Sequence, residues 1–310
     1  MEDEALESYE KAGKILSEVR EDAVKLIKND LPIIDLVEFV ETEIIKKGAG
    51  ISFPCNVSVN EIAAHYTSPL NDKNKLVTGD LVKLDIGTEV NGYIADSAVT
   101  IMVPGDNLEE VMSEEELAIN YDIQEASEAA LDAAISTVRS GIEICKIGEV
   151  VEEAIRSYNL NPINNLTGHS LEPWNLHAGL SIPNINNNDT TKLKEDQVIA
   201  IEPFATNGVG LVGDTNYAYI YSFIKNKPYR LKHDQKVIDF IEKNYHDLPF
   251  SGRWLCEYFN PKRVNSSIRK LGQSMAIYPY PALKEKSGCW VSQKEHTVIV
   301  EPEGCTITTL

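Results

Sequence analysis

Apolar residues recur at helical spacing in several parts of the chain. Residues 4–28 carry them on one face and Glu and Lys on the other, which is typical of an amphipathic helix packed on a core. A second helix is predicted to begin at Asp35, as its N-cap, and to end at Gly48. Ser113 and Glu116 match a capping box and predict the start of a long Ala-rich helix.

Two runs rich in β-branched residues flank Asn91 and Gly92 and predict a β-hairpin. Each strand carries one acid, Asp85 or Asp96. If EVNG is a four-residue loop, the two acids are directly opposed; if Asn91-Gly92 is a two-residue turn, Asp85 faces Ala98 and Asp96 is its diagonal neighbour. Both registers place the carboxylates on one face, with Cβ atoms roughly 5 to 8 Å apart, a span suited to a pair of cations. A solvent-facing acidic pair on an edge hairpin is the alternative.

Composition narrows the class of protein. The 310 residues, 43% of them hydrophobic, are enough for one large or two ordinary domains with a sizeable core. A net charge of −19 would repel phosphate backbones, so DNA is not expected as a ligand. The five scattered cysteines form no CxxC pair, and the N-terminus lacks an export pattern. With no apolar run of membrane-spanning length, we expect a cytoplasmic protein that does not enter membranes.

Three histidines and one further acid lie in segments where a polar side chain suggests a functional role. His65 follows two alanines in a packed-looking segment, where a hydrogen-bonded core role is the alternative to a catalytic one. His169 and His177 lie eight residues apart in a mostly irregular stretch, and could line a cleft together or cap loops. Glu202 interrupts the buried-strand pattern QVIAIEPFAT, and an unpaired buried carboxylate costs several kcal/mol. Glu202 therefore needs a cation, a hydrogen-bond network or a metal, unless it faces solvent on an edge strand.

Five side chains together suggest a metal site. Four acids lie within or beside β-rich apolar runs, and a histidine is placed in a loop between the second and third: Asp85, Asp96, His169, Glu202 and Glu295. Such a set could bind two divalent ions. Its hard oxygen donors favour Mn, Fe, Co or Zn and differ from the sulfur ligands of a thiolate-type site. Because His296 follows Glu295 on a predicted strand, only one of those two can enter the same site.

The sequence suggests two similar halves and an insertion. The pairs His65 with Asp85 and His177 with Glu202 form a weak internal repeat, which suggests two αβ halves. Residues 1–222 and 273–310 are predicted to form one α+β domain, and residues 223–272 a helical insertion between its strands. The basic and aromatic residues of the insertion could touch RNA, but a packed helical subdomain is the favoured interpretation.

Several stretches closely resemble type II methionine aminopeptidases, in motif order and over nearly the whole chain. They are FPCNVSVNEIAAHYTSP, KLDIGTEVNGYIAD, GHS with LHAG, AIEPFAT and EHTVIVEPEG. The resemblance implies a pita-bread fold, in which two αβ halves are related by a pseudo-twofold axis around a curved antiparallel sheet. The helical insertion between Glu202 and Glu295 separates type II from type I members, and the short acidic N-terminus resembles archaeal ones.

The resemblance also implies an activity and a cofactor. The enzyme would remove the N-terminal methionine from nascent polypeptides, favouring a small second residue, through a hydroxide activated by two divalent ions. Asp85 would chelate one ion, Asp96 and Glu295 would bridge the pair, and His169 and Glu202 would complete the shell of the second. We expect a monomer, and a transient association with the ribosome is left open.

Roles for the remaining site residues also come from the resemblance. His65 would contact the scissile amide and aid proton transfer, His177 would hold the substrate carbonyl and its tetrahedral intermediate, and Glu202 would act as proton shuttle. Phe53 and Tyr280 match positions that line the pocket for the methionine side chain.

The motifs depart from the family pattern at three places. Lys294 replaces the aromatic residue that the family usually has before the last ligand, as in QFEHT, and YPAL replaces YPPL. The region of Ile220 lacks the histidine that eukaryotic members place in the methionine pocket. These changes concern the pocket, since all five ligand positions are retained. A prolidase or an aminopeptidase P would share the ligands but normally carries an extra N-terminal domain. Non-catalytic relatives that bind protein or RNA have lost ligands.

Overall fold

Helices and antiparallel strands alternate along the chain. The computed structural model describes residues 1–286 and 289–310. The helices are α1 (Asp3–Val24), α2 (Ile33–Lys46), α3 (Leu108–Val111), α4 (Glu114–Thr137), α5 (Ile144–Ser157), α6 (Lys232–Tyr245), α7 (Gly252–Leu255) and α8 (Pro261–Gln273). The strands are β1 (Gly50–Val59), β2 (Ile62–Ala64), β3 (Leu81–Val90), β4 (Tyr93–Met102), β5 (Asn161–Pro162), β6 (Thr167–Leu171), β7 (Ser181–Pro183), β8 (Val198–Ile201), β9 (Phe204–Thr206), β10 (Gly213–Phe223), β11 (Phe250–Ser251), β12 (Ile277–Lys284), β13 (Val291–Gln293), β14 (His296–Val300) and β15 (Cys305–Ile307).

The first half packs α1 and α2 on a sheet of order β1-β3-β4. The apolar face of α1, predicted from its helical spacing, enters this core through residues such as Leu16 and Val19. The prediction that Asp35 caps α2 is wrong, because the helix already begins at Ile33, after Pro32, and Asp35 lies in its first turn. Proline fixes φ near the helical value, so it can precede a helix without a side-chain cap.

The second half repeats this arrangement with α4 and α5 on a sheet of order β15-β14-β8-β6-β7. The predicted capping box is confirmed, since Ser113 and Glu116 satisfy each other's backbone N–H groups at the start of α4. The two halves meet where Asp96 N donates to Thr297 Oγ1 (2.8 Å) and Glu295 N donates to the Ala98 carbonyl (3.0 Å). All paired strands are antiparallel among the described residues, which agrees with the predicted α+β class.

The helices α6, α7 and α8 lie between β10 and β12 and share a core of their own. Within it, β11 pairs with β10, so this segment is an extension of the β10–β12 ribbon. An ion pair connects this segment to the first half of the fold, because Arg253 Nη2 donates to both carboxylate oxygens of Glu41, at 2.9 and 2.8 Å. Within the described part of the chain, none of the helices is long and apolar enough to cross a membrane.

Candidate metal centre and adjoining pocket

The β3–β4 hairpin adopts the register with a two-residue turn. Asn91 and Gly92 have φ values of 54° and 89°, the left-handed conformation that such a turn needs. Asp85 pairs with Ala98, and Asp96 pairs with Gly87. The two acids are therefore diagonal neighbours on one face, as one of the two predicted registers requires.

Gly87 also leaves room for an aromatic side chain beside the acids. A Cβ at this position would lie 2.2 Å from Cε1 of Phe53, far inside van der Waals contact. The absence of a side chain opposite Asp96 thus lets Phe53 approach the acidic face of the hairpin.

Acids of the second half converge on the same place. Ligand atoms of Asp96, His169 and Glu295 all lie within 4.8 Å of one another. Nε2 of His169 is 3.6 Å from Oδ2 of Asp96 and 4.0 Å from Oε1 of Glu202. His169 lies in strand β6, so the prediction that it sits in a loop is wrong. Its partner in β8 is Ala200, and Glu202 follows the end of that strand, which brings the histidine and the acid together.

Sequence reasoning missed Gln293, at the end of β13. Its side chain is 1% exposed, and Nε2 donates to Oε2 of Glu202 (3.1 Å) and to Oε2 of Glu295 (3.4 Å). Its backbone is held by Thr100, whose Oγ1 accepts from Gln293 N (2.8 Å) and donates to Gln293 O (2.7 Å). The one signal available in the sequence was the spacing: Gln293 lies two residues before Glu295, and side chains two residues apart on an extended chain point to the same face.

The raised pKa values of the acids in this cluster indicate that bound cations would stabilise their ionised forms. Burial raises the pKa of Asp85 to about 7. Burial, followed by repulsion from Asp85 and Glu202, raises the pKa of Asp96 well above its usual range. Burial, followed by repulsion from neighbouring acids, raises the pKa of Glu202 and of Glu295 well above theirs. Carboxylates packed together without positive charge disfavour one another's ionised form.

Unsatisfied oxygens support the same conclusion. Oδ1 of Asp85 and Oδ1 of Asp96 are buried and have no hydrogen-bond partner among residues 1–286 and 289–310. Buried polar atoms are normally paired, so an orphaned oxygen indicates a missing ion or water. Four carboxylates, which are hard oxygen donors, and one imidazole, a borderline nitrogen donor, form a ligand set of the kind that divalent transition metals bind. The residues present therefore fit a metal centre.

Two further histidines flank the cluster. The rings of His169 and His177 have centroids 4.4 Å apart, so these residues line one cleft, which was one of the two predicted alternatives. His65 has φ 64°, a left-handed conformation that is uncommon for residues other than glycine and is often found at functional sites. Its Nδ1 lies 3.3 Å from the carbonyl oxygen of Pro281, and burial lowers its pKa to about 4. His65 is therefore neutral at pH 7, with Nδ1–H donated to Pro281 and Nε2 left as an acceptor.

A pocket of about 230 Å³ adjoins these residues, and every predicted site residue lines it. Phe53 and Tyr280, predicted from the resemblance, form part of its wall together with Ile220. Leu176 and Pro249 are among its other apolar residues and were missed. Leu176 precedes His177, and Pro249 lies in the segment between β10 and β12. No sequence pattern distinguishes either of them from an ordinary core residue.

Comparison with known proteins agrees with this geometry. Residues 7–239 match metallopeptidase family M24. A methionine aminopeptidase of Methanothermobacter thermautotrophicus is 54% identical over 98% of both chains. In structure, the chain resembles a thermophilic Arx1 (18% identical, TM-score 0.85, 99% of this chain and 91% of that one). It also resembles the methionine aminopeptidase of Thermotoga maritima (18% identical, TM-score 0.71, 100% and 98%).

These likenesses confirm the predicted pita-bread fold. The fold alone does not separate the peptidases that share it, but the identity of 54% over nearly the full length does. The chain belongs to metallopeptidase family M24, within its group of methionine aminopeptidases.

Proposed function

We propose that this hydrolase removes the N-terminal methionine of nascent polypeptides with two divalent ions, Co, Mn, Fe or Zn, held by five side chains. They are Asp85, Asp96, His169, Glu202 and Glu295. One observation carries the proposal: acids from both halves of the fold meet beside His169 with orphaned buried oxygens and no compensating cation among the described residues. Such ions, when bound, supply a nucleophile from water at neutral pH and polarise a carbonyl.

The residues around the ions have separate tasks. Glu202 accepts from Gln293 through Oε2, so its other oxygen, Oε1, is available to take and pass on a proton. The Nε2 lone pair of His65 can accept from the N–H of the scissile amide. His177 lies exposed at the pocket mouth beside His169, where its ring N–H can donate to the substrate carbonyl oxygen.

The pocket suits a methionine side chain. Its walls are apolar at Phe53, Leu176, Ile220, Pro249 and Tyr280, and its volume of about 230 Å³ is small for a ligand site. A flexible, unbranched thioether fills an irregular apolar space of this kind, and sulfur also contacts aromatic rings favourably. The N-terminal amine would lie beside the acids, which restricts cleavage to the first residue.

Two substitutions test the metal centre. Asp96→Ala and Glu295→Ala should each abolish methionine release from Met-Ala-Ser and lower the metal bound per chain, while circular dichroism stays unchanged. Glu303→Ala, which removes an exposed acid, is the control and should keep full activity. Substantial turnover in either site variant would refute the assignment. Faster hydrolysis of Gly-Pro than of Met-Ala-Ser by the unaltered protein would instead favour a prolidase.

The finer features of the activity rest on the resemblance. They are the preference for a small second residue, action on nascent chains in the cytoplasm, a monomeric state and a transient contact with the ribosome. A series Met-Xaa-Ser with Ala, Val, Leu and Phe at the second position tests the first. Release that does not fall with increasing size of Xaa would contradict it.

A further inference from the structure

An exposed tyrosine extends the aromatic wall of the pocket. On the β10–β12 ribbon, Ile220 pairs with Tyr280 and Ser222 with Tyr278. Side chains two residues apart on a strand share a face, so Tyr278 lies on the face that presents Tyr280 to the pocket. The rings of Tyr278 and Tyr280 are in contact, edge to face, with centroids 5.1 Å apart.

Exposure along this face increases away from the metal centre. Ile220 is 4% exposed, Tyr280 is half-buried and Tyr278 is 51% exposed. Tyr280 also contacts both histidines of the cleft, with ring centroids 5.5 Å from His65 and 6.3 Å from His177. The aromatic row therefore begins beside the catalytic cleft and ends in solvent at Tyr278.

The substrate must leave the pocket along some surface, because only its first residue is removed and the rest of the polypeptide stays outside. We propose that Tyr278 is a binding site for the third residue of the substrate, where it favours an apolar side chain. This inference rests on the proposed function. Positions 278 and 280 are about 6.6 Å apart along the strand, and an extended substrate advances about 3.3 Å per residue. For a substrate that runs along β12, Tyr278 therefore lies two residues beyond Tyr280, which lines the pocket proposed for the first residue.

The chemistry of Tyr278 suits this role. A ring held against a second ring presents a rigid apolar surface that costs little side-chain entropy to bind. Tyr278 lies outside the stretches that carry the family resemblance. The segment from 223 to 272 packs on the opposite side of the ribbon, through Ile277 and Tyr221, and leaves the face of Tyr278 open.

The test compares peptides of different length with variants of matched exposure. The substrates are Met-Ala, Met-Ala-Gly-Ser and Met-Ala-Leu-Ser, assayed with the metal-loaded enzyme. Tyr278→Ala should lower kcat/KM for Met-Ala-Leu-Ser about threefold to tenfold, mainly through KM, and leave Met-Ala unchanged. Tyr278→Phe keeps the ring and should retain the activity of the unaltered enzyme. Tyr121→Ala removes a tyrosine of similar exposure (52%) on α4 and is the control.

Each outcome separates the alternatives. An equal loss on Met-Ala and Met-Ala-Leu-Ser would mean that Tyr278 only supports Tyr280, and would overturn the proposal. No loss on any substrate, or a loss shared by Tyr121→Ala, would overturn it as well. Failure of the unaltered, metal-loaded enzyme to release methionine from any of the three peptides would instead refute the proposed function.

Discussion

Removal of the guanidinium at Arg253 should destabilise the protein through Glu41. Both residues are buried, at 7% exposure each, and Nη2 of Arg253 donates to both carboxylate oxygens of Glu41. Trp254 Nε1 also donates to Glu41 Oε2 (2.8 Å). Nε of Arg253 donates to the Ser68 carbonyl (3.2 Å). Arg253→Met would leave a buried carboxylate without its counter-charge, and this loss typically costs about 3 to 5 kcal/mol.

This cost converts into a measurable melting shift. An unfolding entropy of roughly 2.1 cal/mol/K per residue gives about 0.65 kcal/mol/K for 310 residues. Arg253→Met should therefore lower Tm by about 5 to 8 °C at neutral pH. Burial already raises the pKa of Glu41 against the opposing effect of Arg253, and loss of the arginine would raise it further. A raised pKa in the folded state means that stability is lost as pH rises through it, so the defect should be larger at pH 8 than at pH 5.

Differential scanning calorimetry of a double-mutant cycle tests this reasoning. In Glu41→Gln/Arg253→Met the buried charge is gone, while Gln can still accept from Trp254. The double variant should be more stable than Arg253→Met by about 1 to 3 kcal/mol. Lys25→Met, which breaks an exposed ion pair with Asp22, is the control and should leave Tm unchanged. A double variant no more stable than Arg253→Met, or a defect that does not depend on pH, would refute the role of the buried charge.

Three other predictions concern the catalytic cleft. His177→Ala should lower kcat much more than it lowers bound metal, and parallel loss of metal would make His177 a ligand. Gln293→Leu should lower kcat/KM roughly 10- to 100-fold with an unchanged circular dichroism spectrum, because two carboxylates lose a shared donor; full activity would contradict this. Added Mn²⁺ should raise the Tm of chelator-treated protein more at pH 8 than at pH 6, since protons compete for acids whose pKa is raised, Asp85 to about 7; an equal shift at both pH values would contradict it.

How far the sequence predicted the site depends on the kind of side chain. An acid within a β-branched run is conspicuous, because burial of its charge is costly; Asp85, Asp96 and Glu202 could be singled out for that reason. The hairpin register stayed open, since both turns put the acids on one face and only the backbone at Asn91 distinguishes them. The strand around His169 was missed because it pairs with the short strand β7 and with β8, which lie 12 and 31 residues later at Ser181 and Ala200, and local propensity carries no information about such pairing.

Apolar pocket residues could not be recognised in the same way. Leu176 and Pro249 look like ordinary core residues, and only tertiary packing places them beside Phe53. Gln293 is an intermediate case, because a neutral amide on a strand is unremarkable until its two carboxylate partners are known. Polar chemistry that is expensive to bury is therefore visible in a single sequence, whereas the shape of a pocket is a property of the fold.

The candidate metal centre lies between the two halves of the fold, but hydrogen bonds outside the metal ligands also connect these halves. Thr297 both accepts from Asp96 N and donates to Asp96 O. Ser97 Oγ accepts from Arg20 Nη1 and donates to the Glu295 carbonyl. The groups that contact the backbones of Asp96 and Glu295 directly are the neutral hydroxyls of Thr297 and Ser97, so these contacts do not depend on the charge state of the carboxylates. The fold can therefore hold mutually repelling acids close together in advance, at a cost in stability that bound cations would relieve. Preorganisation of this kind keeps the ligands in place when charge develops in the cleft, and it fits acids that lie in strands, as Asp85 and Asp96 do, or directly beside strand ends, as Glu202 and Glu295 do.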